Sequence, residues 1–257
     1  MRALYTAASG MTAQQLKIDN IANNLANVST TGFKKGRGNF EDLLYQQMPT
    51  GQPSALLTRP ANLSVGSGVR MVSMNRDFTT GNLAQTDNQL DIALGDRGFF
   101  VLEDQDGNAL YTRAGSFSKN ADGEIVSASG FRLSGVDAIP DDAERLTIAE
   151  DGTVSVTFRG ETTETTIGTI RVVDFVNPAG LEALGGNMYI PTAASGESVE
   201  MYPEDGVEIY QGFLESSNVD VAEELVNMIV AQRAYELTSK VVQSADETLQ
   251  VANNIKR

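Results

Sequence analysis

The sequence predicts an α+β fold. Long N- and C-terminal helices pair as a coiled-coil-like inner domain, and an all-β middle domain of short antiparallel strands lies between them. Three observations carry this prediction. Apolar residues recur in heptads at both ends of the 257-residue chain, the period drops to two from Val69 onward, and Asp-Gly pairs punctuate the middle.

The N-terminal helix is expected from Arg2 to about Val28, on the stripe Leu4, Ala7, Met11, Gln14, Ile18, Ile21, Leu25 and Val28. Its first 28 residues hold only three charges, Arg2, Lys17 and Asp19. A helix covered on one side normally has a charged outer face. Here the outer positions are Ala, Ser, Thr, Gln and Asn, which tolerate close approach and partial burial, so more than one face is expected to be covered. The pattern breaks across Val28–Gly32, where Ser, Thr and Gly accumulate. A second helix is expected from about Val221 to Ile255, with Leu225, Met228, Ile229, Tyr235, Val242, Ala245, Leu249 and Ala252 on its stripe. Asp220, with Glu223 three residues later, resembles a capping box with Asp in place of Ser or Thr. Isolated helices gain little without tertiary packing. The two helices are therefore expected to order fully only on each other and on neighbouring copies, as in a polymer subunit.

Between them, Phe40–Leu44 is a short apolar piece. Gln46–Gly68, rich in Pro, Gly, Ser and Thr, reads as an extended loop of a length that is usually functional. Strands are expected at Phe99–Glu103, Leu110–Arg113, Glu124–Ser127, Thr153–Phe158, Thr169–Val176 and Val207–Glu215. Asp106-Gly107, Asp122-Gly123 and Asp151-Gly152 supply positive-φ residues for tight hairpin turns. The organisation that follows is an N-terminal helix over 1–35, a loop segment over 36–68, a β domain over 69–214 and a C-terminal helix over 215–257.

Composition argues against catalysis. The chain has no cysteine and no histidine, so thiolate sites are excluded and the commonest general base is missing. The net charge of −15 sits almost wholly in the middle, because Arg2, Lys17, Lys34, Lys35 and Arg37 face only Asp19 in the first 40 residues. An acidic middle is unsuited to nucleic acid and reads as a solvated exterior. Glu103–Gly107 has the acidic look of a calcium loop, but the later liganding Glu is absent and a hairpin turn accounts for Asp106-Gly107. No opposed carboxylates, phosphate-binding loop or nucleophile elbow is present. No catalytic, cofactor or metal residue is assigned. No segment approaches the roughly 18 apolar residues of a membrane span, and polar residues interrupt any secretory h-region early.

The stretch ANNLANVSTTGFKK (22–35) resembles the signature of the bacterial flagellar axial proteins, the rod and hook family. VAEELVNMIVAQRAYELTSK (221–240) resembles the matching end of that family's rod branch. ALGDRGFFVL (93–102), YTRAGSFSKNADGEIVSASGFRL (111–133) and IYQGFLESSNVDVAEEL (209–225) are similar to its shared β domain and exit. The length, with the segment after FEDLLYQ (40–46), looks most like the distal rod type.

The resemblance implies a helical homopolymer, with terminal helices on the inner wall and the β domain outside. It also implies neighbours among proximal rod, hook-side and ring proteins, and export without signal cleavage through the flagellar apparatus to the basal body. It gives Leu4, Met11, Ile18, Ile21, Leu25 and Val28 to an assembly interface with Leu225, Met228, Ile229, Tyr235, Val242 and Leu249, joined by Gly32 and Phe33 of the signature. Asn23, Asn24 and Asn27 either fray and cap the helix end or hydrogen-bond between subunits. The alternatives are a hook or proximal rod subunit, a secreted glycan-acting enzyme and a calcium-binding adhesin.

Overall fold

The computed structural model describes residues 2–48, 63–104, 106–160, 163–202 and 206–255. The chain divides into two compact units, one formed by 1–25, 36–75 and 221–257 and the other by 26–35 and 76–220. The division differs from the expected one. Residues 36–75 group with the helices, and the signature stretch 26–35 groups with the β unit.

In the helical unit, α1 spans Arg2–Ala26 and α2 spans Val221–Ile255. The buried positions of α1 are Ala7, Ala13, Asn20, Ile21 and Asn24, which share one side at helical spacing. On α2, Glu224 and Ala231 are buried, and Met228, Thr238, Val242 and Ala245 are half-buried on the same stripe. The helices come close at Gly10, where a Cβ would lie 3.5 Å from Thr238 Cγ2. Strand Gly36–Asp42 pairs with Val69–Arg76, and Gln46–Met48 pairs antiparallel with Leu63–Val65. The expected loop over 46–68 thus contains paired strands at 46–48 and 63–65, and its 49–62 portion lies outside the described residues.

The β unit is built on a nine-stranded sheet. Its main path runs 182–185, 188–190, 109–112, 99–103, 132–133, 125–127 and 117–119, with 172–175 also paired to 99–103 and 198–201 paired to 172–175. A three-stranded sheet (143–148, 153–158, 164–169) and two short ribbons (92–94 with 209–211, 83–85 with 213–215) complete the unit. Phe99–Glu103 is buried on both faces. Phe100 and Leu102 join the main core with Ile92, Val154, Val156 and Val172, while Phe99 and Val101 join Tyr111, Phe175 and Tyr189 on the other side. The rings there meet edge to face, as for Tyr111 and Phe175 at 4.9 Å.

Two expected strands are split. Thr169–Val176 divides at Ile170-Arg171, with 164–169 in the three-stranded sheet and 172–175 in the large one. Val207–Glu215 divides at Gly212, whose φ of +74° cannot continue a strand. The Asp-Gly turns also differ in type. In each, the glycine has positive φ and the aspartate does not, and the glycine N–H bonds the carbonyl three residues back, as Gly123 does to Asn120. That is a type I turn closed by a left-handed glycine rather than a two-residue primed turn. The Gly107 N–H likewise bonds the Asp104 carbonyl at 2.9 Å.

Candidate assembly surface

The uncovered surface of α2 is apolar. Val226, Val230, Leu237 and Val241 are 60%, 56%, 63% and 52% exposed, and their spacing of four, seven and four puts them on one face. Arg233 interrupts this stripe once. Leu225, Ile229, Tyr235 and Leu249 are exposed as well, whereas Met228 and Val242 lie on the half-buried stripe. Among the described side chains of this 35-residue helix, only Glu224 and Ala231 are buried. A water-facing apolar stripe of this length marks an interaction surface. The sequence reading named Met228 and Val242 of the half-covered stripe together with the exposed Leu225, Ile229, Tyr235 and Leu249, and overlooked Val226, Val230, Leu237 and Val241, although their spacing is visible in the sequence.

Most of the predicted α1 positions are less accessible. Leu4, Met11, Ile18, Leu25 and Val28 are half-buried, and Ile21 is buried. Asn23 is exposed. Asn24 is buried and committed to its own chain: its amide donates to the Gly36 carbonyl at 3.0 Å, and its oxygen accepts the Gly36 N–H at 2.8 Å. Asn20 donates to the same carbonyl at 2.8 Å. Both readings offered for Asn24 therefore give way to a third, in which it ties the strand starting at Gly36 back onto α1. Asn27 Oδ1 accepts from the Thr30 hydroxyl at 3.2 Å, in the turn that ends α1.

Gly32 and Phe33 are also buried, within the β unit. Gly32 has φ +67°, and a Cβ there would lie 2.6 Å from the Ala114 backbone nitrogen. Arg76 stacks over the Phe33 ring at 5.3 Å and donates to the Lys34 carbonyl at 2.9 Å. These signature residues support the fold rather than present a surface.

Beside them sits a buried ionic cluster that the sequence reading missed. Lys34 Nζ donates to Glu215 Oε1 at 2.6 Å and to the Thr79 carbonyl at 2.7 Å. Arg113 Nε stands 3.2 Å from Glu215 Oε2 as an ion pair, and its guanidinium donates to the Gly98 carbonyl at 2.9 Å. Burial pulls the Lys34 ammonium below its usual range, and the Glu215 charge offsets part of that shift. Tyr189, buried close by, has its phenol pushed upward chiefly by desolvation. Lone charged residues 79 and 102 positions apart carry no spacing signal, so only the folded chain reveals the cluster. No group of three or more metal-ligating side chains occurs among the described residues.

The sequence matches flagellar basal-body rod protein FlgG of Buchnera aphidicola subsp. Acyrthosiphon pisum at 46% identity, covering 96% of this chain and 97% of that protein. The chain belongs to the flagellar basal-body rod protein family. Similar rod proteins occur in Borreliella burgdorferi, at 44% identity over 100% of this chain and 99% of its own, and in Bacillus subtilis, at 37% over the full length of both. Three family models match in order: flagella basal body rod protein over 4–34, flagellar hook protein FlgE/F/G D1 domain over 93–156, and flagellar basal body rod FlgEFG protein C-terminal over 210–255. Among solved structures, the Helicobacter pylori flagellar hook protein FlgE2 aligns over 71% of this chain and 43% of its own, at 16% identity and a TM-score of 0.26. As a rod-family member the chain is a structural protein and not an enzyme. The first and third family models take in α1 and α2, and so include the exposed stripe of α2.

Proposed function

We infer that the chain is a self-assembling subunit of the distal flagellar rod, polymerising through its terminal helices into a tube that carries torque from motor to hook. The observation that carries this is the uncovered stripe Val226, Val230, Leu237 and Val241 on a helix with almost no buried side chains of its own. Burial of apolar surface is worth about 25 cal/mol per Å², and the gain repeats at every subunit contact. Contacts that do not close a ring generate a helical polymer. Leu225, Ile229, Tyr235 and Leu249 are exposed on other faces of α2 and add apolar surface for neighbouring copies. The relatives' shared name supports a place in the basal body. The distal position, the rod, hook-side and ring neighbours and the export route belong to this proposal.

The test is Leu237→Asp in the full chain, which puts a charge on the stripe. Assembly into rods, followed by electron microscopy of isolated basal bodies, is expected to fail while the thermal midpoint of the monomer stays unchanged. Normal rods built from this variant would overturn the proposal. The segment 46–68 adds contacts that stiffen the tube, so deleting it leaves a monomer that folds and a tube that bends. Straight tubes from the deletion variant would remove that role.

A further inference from the structure

Three stretches distant in sequence run side by side in the β unit: 32–35, 76–82 and 213–218. Asn218 binds them together. Its oxygen accepts the Lys35 N–H at 2.8 Å, and its amide donates to the Asp77 carbonyl at 2.8 Å and the Thr79 carbonyl at 3.1 Å. The Glu215 carbonyl accepts the Gly32 N–H at 2.8 Å, and its carboxylate accepts the Gly81 N–H at 2.8 Å. Each stretch also lies next to a point where the chain passes between units, after Lys35, before Arg76 and after Asp220.

Lys34 and Arg113 are both buried, and the carboxylate in contact with both is Glu215. Asp77, Asp96 and Asp174, whose charges also bear on these cations, are half-buried or exposed. Glu215 comes from a three-residue strand, Phe213–Glu215, paired among the described residues with Leu83–Gln85 alone. Its seat is narrow, since a Cβ on Gly81 would lie 2.0 Å from the Ser216 carbonyl oxygen. If this short strand lifts, the carboxylate leaves with it and two buried cations lose their counter-charge. A stranded buried charge is far less tolerable than a missing pair.

We propose that Glu215 makes closure of the β unit conditional on seating of the segment that leads into α2. That segment ends where α2 begins, six residues after Glu215, at Val221. Residues 32–35 and 98–113 hold their places only while 213–216 is in position. This holds whatever partner covers α2.

Hydrogen exchange on the full-length chain tests the coupling. In Glu215→Gln, amides of 32–35 and 99–103 are expected to exchange at least about tenfold faster, as a cooperative local opening does. Adding Lys34→Met removes one stranded cation and is expected to restore most of that protection. Exchange unchanged in Glu215→Gln would overturn the proposal. So would equal loss in the double variant, which would mean lost fit rather than stranded charge. Should Glu215→Gln fail to fold, Gly81→Ala displaces Ser216 without changing any charge. Faster exchange at 99–103, relieved by Lys34→Met, supports the coupling, whereas loss confined to 213–218 refutes it. Assembly is read separately with Leu237→Asp, so the two ideas fail independently.

Discussion

Lys34 and Glu215 stand 181 positions apart in sequence and 2.6 Å apart in the fold, each side chain 1% exposed. One lies in the signature that follows α1 and the other just ahead of α2. The pair therefore joins the inner ends of both terminal helices' connecting segments within the β unit. Its desolvation is offset in part by the hydrogen bonds to Thr79 and Gly81 and by the Arg113 charge.

Alkaline titration gives the first prediction. Burial depresses the Lys34 pKa below its ordinary 10.5, so the unfolded chain binds more protons than the folded one between the two values. Stability from this group therefore rises with pH through that window. Urea denaturation at stepped alkaline pH is expected to show the wild-type chain gaining on Lys34→Met as 10.5 is approached. A constant gap between the two would show that the ammonium is not perturbed.

Gly32→Ala separates structure from interface. The backbone there has φ +67°, and the new methyl meets the Ala114 backbone, so a cost of at least about 2 kcal/mol is expected in the monomer. An unaltered melting temperature combined with lost assembly would instead return Gly32 to an interface role.

Asn24→Ala removes both bonds to Gly36, leaving that N–H without its amide partner while the carbonyl keeps the Asn20 amide. The expected loss is about 1–3 kcal/mol in the helical unit, with faster amide exchange at Gly36. A variant as stable as wild type but defective in polymerisation would favour a role between subunits.

Charge substitutions on the two helices are expected to differ in kind. Ile21 is 3% exposed, so Ile21→Asp unfolds the helical unit as well as blocking assembly. Val230 is 56% exposed, so Val230→Asp leaves monomer stability within about 0.5 kcal/mol and blocks assembly alone. Comparable melting losses in both variants would contradict the division between covered and presented faces.

Both helices were legible because a heptad needs only local spacing to declare itself, and α2 starts and stops where its pattern does, at Val221 and Ile255. Phe99–Glu103 and Thr153–Phe158 were equally plain, since runs of apolar and β-branched residues between turns fit little else. Family membership was carried by the long motifs at 22–35, 93–133 and 209–240. Periodicity marks a residue as apolar-facing without saying what it faces. Ile21 and Val230 look alike in sequence, yet the fold covers one and leaves the other in water. Asn24, Gly32 and Lys34 owe their roles to partners 12, 82 and 181 positions away, at Gly36, Ala114 and Glu215. Local spacing determined the elements. Long-range closure of the chain decided which side chains are committed inside it and which remain for another copy, because burial and charge neutralisation exist only after distant segments meet.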